Sequence, residues 1–593
     1  MPVHPRVYRK GQSMDIPLPL SSESFEQLSW SKIKPWYDEL IATTLSSETV
    51  PLWLSQWSHL SELVDETLAR LEIACTQDTG DQEAVQRKER FLNNIALPVQ
   101  SYDQQIKEQL LASGLTPEGY VIPLRNLRTE AMLFHEANLP LLNEEETLSS
   151  EYLQVNGAQM VPWGDNQVSI ASLRPVLLDP ERQRREMAWR RMNERQQADR
   201  ERLHRLWVKG IQLRQKIAHN AGFDTYRDYR WQQLFRFDYT PADCKRFHEA
   251  VEEVIVPAAS RIWEKRRKQL GVDSLRPWDI SVDPQGNTPP RIFSDMDIVL
   301  QKCTTAFGFI DPHLQSYFTT MIREGLCDLE ERPRKANRGY NMHLEVRRRP
   351  FIFGQVKSMW DLVTVFHEAG HAFQVFEMSH LPSIHQRKES FLPLEFAEVA
   401  STSMELIAVM YLHRAGFCTP AEETRLRIQH LERFVAQLFP LAVRGDAFQH
   451  WVYENPERAM EQGACNQKWE ELSLRYVPDI DWSGLDVERG SEWQQVRHFY
   501  GWPFYYIEYA FAALGALQVW NNYLRDPHTS LQQYRYALSL GATRTVPELF
   551  EAAGVKFAFD ATTLNGMLQP MMQTIEKLES EENQRTTHQE KTE

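Results

Sequence analysis

Over residues 25–46, 52–75 and 82–113, apolar side chains recur at three- and four-residue spacing with charges between them. That period gathers the apolar set on one helical face, so three amphipathic helices are predicted. Ser46-Ser47 and residues 78–81 carry the turn signals between them. Residues 152–178 break the pattern with Gly157, Pro162, Gly164 and Pro175. This stretch reads as loops with room for short strands, and a soft domain boundary is expected shortly after it. Helical patterning resumes at Asp179-Pro180, an N-cap followed by a first-turn proline, and a long polar helix or helix pair runs to Lys216. Residues 283–290, with Pro284, Gly286, Pro289 and Pro290, read as a loop. Within 346–354 the run Pro350-Phe351-Ile352-Phe353 reads as a short strand. Helices then return to about Leu578, and the polar stretch 579–593 is expected to be a disordered tail. The division predicted is therefore 1–178, 179–578 and 579–593.

Composition narrows the class. With 42% hydrophobic and 25% charged residues in 593, the chain can bury a large core. Its net charge of −15 argues against nucleic acid or an anionic membrane as the main partner. Residues 181–216 hold 12 Lys/Arg against 5 Asp/Glu, which opens a local nucleic-acid reading. Interleaved acids and few aromatics fit a solvated helix face with ion pairs better. The six cysteines form no C-x-x-C pair, so neither a disulfide scaffold nor a thiolate zinc cluster is suggested. No window reaches the roughly 18 apolar residues of a membrane span, and residues 1–20 lack the apolar core of a signal peptide. A cytoplasmic protein is expected. There is no internal repeat, Walker loop or G-x-S-x-G elbow.

The chemistry concentrates in Val365-Phe366-His367-Glu368-Ala369-Gly370-His371-Ala372-Phe373, an H-E-x-x-H motif in a stretch apolar on nearly every side. At about 100° per residue His367 and His371 project from one face and can grip one metal ion. Glu368 beside them is positioned to take a proton from a metal-bound water. Chance would produce roughly 0.04 such motifs in a chain of this composition. Two histidines and a glutamate on a buried helix would also be costly without a ligand. A metzincin is excluded by Gln374 and Glu377. For the third ligand, His380 and His385 follow a loop without fixed geometry. The better source is 393–405, a second helix with Pro393 near its first turn, where Glu398 and Glu405 share a face. Glu398 as ligand with Glu405 accepting from a ligand imidazole is coherent, and Glu395 is the competitor. A third cluster, 498–509, combines His498 with Tyr500, Tyr505 and Tyr509; neutral N–H and O–H donors of this kind can hold an oxyanion. Tyr505 and Tyr509 share a helical face.

These pieces resemble the oligoendopeptidase F branch of the thimet oligopeptidase family of zinc metallopeptidases. The matching residues are Phe366-His-Glu-Ala-Gly-His-Ala-Phe373, Phe396-Ala-Glu-Val-Ala-Ser-Thr402, His498-Phe-Tyr500 and Phe504-Tyr-Tyr-Ile-Glu-Tyr-Ala510. Arg334-Lys-Ala-Asn-Arg-Gly-Tyr340, Pro350-Phe-Ile-Phe353 and Leu275-Arg-Pro-Trp-Asp279 support it, and the likeness runs over about 166–571. The chain departs from the family at Gln374, where a third histidine is common, and by one extra residue between His498 and the tyrosines.

The resemblance implies a mainly α-helical ellipsoid with a deep central channel and a small β-sheet near the active site. It implies that residues 179–578 are the catalytic domain, with the zinc core at about 340–520. His367, His371 and Glu398 would bind one zinc ion per chain, and Glu368 would be the general base. His498 and Tyr509 match the family's transition-state donors, and Tyr500 and Tyr505 its substrate contacts. Residues 350–354, ending in Phe353 and Gly354, would offer a sheet edge to an extended substrate. The function implied is a zinc endopeptidase acting on short, unfolded peptides, with no nucleic-acid or membrane partner. A metallocarboxypeptidase and a peptide-binding protein without catalysis are the alternatives, the second disfavoured by the intact Glu368.

Overall fold

The computed structural model describes residues 18–286 and 295–590, and the expectations for residues 1–17, 287–290 and 591–593 lie outside them. The chain is mainly helical. The first predicted helix is interrupted, as Ser22–Glu26 and Trp30–Ala42, while the second runs as predicted over Val50–Gln77. The third contains a π-helical turn, Leu92–Ala96, between Gln82–Phe91 and Leu97–Ala112. Pro98, which has no N–H for the carbonyl a turn earlier, follows that widened turn.

Residues 152–178 begin as the end of helix Leu139–Gly157 and continue as a hairpin, β1 (Met160–Trp163) with β2 (Asn166–Ser169). The polar helix starts at Arg182, two residues later than expected, and breaks at Asp199 into Arg182–Ala198 and Arg200–Asn220. Its basic side chains are engaged by acids: Arg185 with Asp279, Arg195 with Asp199, Lys209 with Glu144 and Arg214 with Glu145. The last helix, Ala561–Glu590, corrects the expected tail. Glu579 pairs with Lys265 and Glu582 with Arg425, so two helices anchor what composition alone marks as loose.

Packing separates two bodies of side chains. Residues between Phe25 and Leu127 build a core around Trp36, Trp53 and Trp57 that closes on Val375, Met378, Phe391 and Leu392. Leu133, Leu148 and Tyr152 already belong to the larger core. We place the division near residue 130 on this ground. Among the described residues no helix is long and apolar enough to cross a membrane.

The second sheet has three strands in the order β3 (Cys327–Asp328), β5 (Arg349–Phe353), β4 (Tyr340–Leu344). The strand predicted at 350–353 is therefore in the middle, parallel to β3 and antiparallel to β4. The Gly354 N–H donates to the Asp328 carbonyl at 2.9 Å, and its own carbonyl accepts from Lys335 at 2.6 Å. Residues 350–354 thus have no free edge, and Phe353 is fully buried beneath the Tyr340 ring. The edge strands are β3 and β4, and β4 is the longer.

Helix Met359–Met378 starts from a capping box between Ser358 and Asp361 and is buried along most of its length. It crosses helix Leu394–Ala408 at Gly370. A Cβ there would stand 2.5 Å from the Ser401 Cα and 2.6 Å from the Ala400 carbonyl oxygen. Glycine is required by this close approach, because the obstruction is backbone and cannot turn aside. Gly370→Ala is expected to push the helices apart, costing about 1–3 kcal/mol. Thermal unfolding checks this: Tm should fall.

Candidate metal centre and active site

Neighbouring turns of helix Met359–Met378 place the His367 and His371 rings 5.0 Å apart at 82°. From the crossing helix, Glu398 Oε2 reaches 3.4 Å from His367 Nε2 and 3.8 Å from His371 Nε2. These three donor atoms lie within 4.8 Å of one another. Burial pushes His371 down to about 4, so its nitrogen is neutral and offers a lone pair. Burial opposes ionisation of Glu398, but the neighbouring histidines, led by the His367 hydrogen bond, outweigh it and hold the carboxylate at about 2. Burial opposes a charge on His367, but its hydrogen bonds to Glu398 and Glu405 outweigh this and raise it well above the usual imidazole value, so it gives up a proton when a metal binds. Two imidazoles and one ionised carboxylate fit a catalytic zinc set.

Behind His367 stands Glu405, whose carboxylate takes the Nδ1 hydrogen and reaches His430 Nε2 at 3.1 Å through its other oxygen. Fixing Nδ1 in this way leaves Nε2 free to face the ligand point. Glu398 is held in turn by Ser401 Oγ at 3.2 Å and by the Tyr505 hydroxyl at 3.1 Å. Glu395 points elsewhere, accepting from the Tyr239 hydroxyl at 2.5 Å. His380 bonds its own turn and His385 stacks 4.0 Å from Trp57, so neither joins the cluster. Glu368 is 8% exposed, and burial, helped by Glu398 and Glu405, raises its carboxyl to about 7.

His498 and Tyr509 meet with Nε2 and hydroxyl 3.2 Å apart, and Tyr505 stacks on His498 at 5.4 Å. Burial and the Arg497 charge push His498 down to about 4, and burial raises both tyrosines. All three are neutral hydrogen-bond groups at pH 7. Tyr500 is a correction: it is 5% exposed, stacked on Tyr152 at 4.1 Å, with its hydroxyl on the Leu203 carbonyl. It packs the core and is not placed to meet substrate. Phe353 and Gly354 likewise give way, as described above, to β4.

Just before β4 a Cβ at Gly339 would meet Glu368 Oε1 at 3.5 Å, and Asn341 and His343 follow at two-residue spacing along the strand. The Asn341 amide atoms and His343 Nδ1 are buried without hydrogen-bond partners. Asn341, His343 and His430 were not legible in the sequence, being single polar residues in short or amphipathic elements.

The segment carrying the donors is fastened by three arginines. Arg214 donates to the Phe499 and Tyr500 carbonyls at 3.0 and 2.5 Å, Arg230 to Pro503 at 3.2 Å, and Arg236 to Phe504 at 2.6 Å. Phe504 sits at φ 63°, a left-handed conformation costly for a bulky residue. Arg236 also pairs with Glu508, one residue from Tyr509, with both side chains buried. Arg236→Met would strand that carboxylate, a loss of about 3–5 kcal/mol in buried pairs. The expected outcome is a lower Tm, measured by calorimetry.

The profile of peptidase family M3 matches residues 176–296 and 310–568. PZ peptidase A, solved with inhibitor 2, superposes with a TM-score of 0.84 at 24% identity, over 93% of this chain and 98% of its own. A structure from Bacillus anthracis assigned as an oligoendopeptidase F gives 0.78 at 22% identity, over 94% and 96%. Oligoendopeptidase-F from Enterococcus faecium gives 0.58 at 16%, over 94% and 100%. At these identities the likeness is one of fold. No curated protein sequence matches the chain at a significant level.

Proposed function

The chain belongs to peptidase family M3 and is a peptidase, and from that premise we propose a zinc-dependent endopeptidase that cuts short, unfolded peptides. The observation that carries this reading is one cluster: His367, His371 and Glu398 converge, Glu368 lies beside them, and the His498–Tyr509 pair is tied to Glu398 through Tyr505. When bound by His367, His371 and Glu398, zinc supplies a Lewis acid that polarises a carbonyl and makes water a nucleophile near neutral pH.

The remaining work falls to the protein. Glu368 accepts the proton of the attacking water, for which its raised pKa makes it a stronger base than an exposed carboxylate, and then hands that proton to the departing amine nitrogen. His498 and Tyr509 donate hydrogen bonds to the oxygen that becomes anionic as the carbonyl carbon turns tetrahedral. Glu405 keeps His367 in one tautomer. The substrate runs extended along the unpaired side of β4, where Asn341 and His343 face the site, and takes the place there of an added strand. Six free cysteines support a reducing, cytoplasmic setting.

An end-blocked peptide of about ten residues tests the reading, incubated with and without a zinc chelator and analysed by mass spectrometry. Internal cleavage that the chelator abolishes and added zinc restores is expected. If only the free-ended peptide is cut, from its C-terminus, the enzyme is a carboxypeptidase; if neither is cut by the zinc-loaded protein, the cleft only binds.

A further inference from the structure

Helices Pro241–Leu270 and Phe439–Glu454 pack against each other in the core. Each turns a pair of donors, four residues apart and so on one face, toward the other: Cys244 and His248 from the first, Asp446 and His450 from the second. All four are buried, with exposures of 0, 4, 0 and 2%. Helical bundles build metal sites in their cores from side chains on facing helices.

Hydrogen bonding leaves this group unsatisfied. His450 has no partner on either ring nitrogen, and Asp446 Oδ1 has none. Yet His450 Nε2 lies 3.3 Å from Asp446 Oδ2. The two atoms are close without the alignment of a hydrogen bond, as if both faced a shared point. Two bonds of about 2.0–2.1 Å meeting at a tetrahedral angle set their outer atoms about 3.3 Å apart. His367 and Glu398 show the same relation at 3.4 Å. The donor atoms of Cys244, Asp446 and His450 lie within 4.8 Å of one another, as do those of the catalytic set. His248 Nε2 hydrogen-bonds Asp446 Oδ2 at 2.8 Å and steadies that carboxylate from outside the three-donor group.

We infer that Cys244, Asp446 and His450 form a second, structural zinc site, distinct from the catalytic one, with His248 supporting Asp446. The chemistry of the set selects the ion. One thiolate, one carboxylate and one imidazole suit zinc and disfavour calcium or magnesium. The thiol loses its proton to solvent on binding, and thiolate plus carboxylate then balance the dication, leaving no net charge in the core. The three donors are buried in the core, out of reach of a substrate, so the site is not catalytic. Gly445, next to Asp446, packs so closely on Tyr506 that a Cβ would stand 2.3 Å from its ring. The ion would thus brace the layer directly behind the Tyr505–Tyr509 segment.

Cobalt(II) separates the two sites, because the catalytic set contains no sulfur. The full-length protein, stripped, reloaded with zinc or cobalt under reducing conditions and desalted, is expected to hold two equivalents per chain. The cobalt form should show a thiolate-to-cobalt charge-transfer band in the near ultraviolet. Cys244→Ser should remove the band and lower the stoichiometry from two to one; His371→Ala should also lower it to one but keep the band. A wild-type protein with one equivalent and no thiolate band overturns the inference whether or not Cys244→Ser folds, and does so without touching the peptidase reading.

Discussion

Glu368→Gln is expected to keep its zinc and lose turnover by at least about 10³-fold, toward the upper end of what a general acid–base group contributes. The substitution preserves size and leaves His367, His371 and Glu398 in place, so metal content should not change. An amide cannot accept the proton of the attacking water. It also cannot return one to the amine, so both halves of the reaction fail together. Glu368 is nearly enclosed, and Gly339 of the neighbouring loop stands against its Oε1, which leaves little room for a second base to replace it. Steady-state kinetics on an internally cleaved peptide, paired with metal analysis of the same sample, decides the matter. Normal kcat with full zinc would remove Glu368 from the mechanism.

Glu398→Ala is expected to lose the metal itself, with zinc affinity falling by more than the roughly 10–100-fold typical of a residue that only supports a ligand. The carboxylate is the sole donor arriving from the crossing helix, and without it His367 and His371 form an incomplete pair on one helix face. Its loss also leaves the Tyr505 hydroxyl without its acceptor. Activity should therefore vanish at trace zinc and recover only in part at high zinc. Glu395→Ala is the control. That carboxylate serves Tyr239, so the variant should hold zinc as tightly as the parent. Equal zinc content in Glu398→Ala and the parent would mean that another residue ligates.

Local periodicity made the first half of the metal centre readable. Histidines four apart on a helix share a face whatever surrounds them, and an apolar stretch around them demands burial. The predominance of helix was legible for the same reason, as was the seven-residue pairing of Glu398 with Glu405. The choice between Glu395 and Glu398 was not, because both lie on one helix a turn apart. It was decided by how closely helix Leu394–Ala408 approaches Gly370, a contact made across 30 residues of sequence.

Other assignments depended on neighbours that no local pattern reveals. An apolar run such as 350–353 suits a strand, but whether it lies at an edge is settled by the two-residue β3 and by β4 on its other side. Tyr500 and Tyr509 look alike in an aromatic segment; Tyr152, from a distant helix, draws one into the core and leaves the other facing His498. The tail from Glu579 reads as solvated by composition until Lys265 and Arg425 are placed beside it. Cysteine spacing gave no hint of the Cys244 group, whose donors come from helices about 200 residues apart. The sequence by itself determined the helical class, the H-E-x-x-H face and the peptidase family, since these rest on short-range periodicity and contiguous motifs. Only the tertiary structure decided which carboxylate, tyrosine and strand edge reach that face, because those choices are made by contacts between elements far apart in the chain.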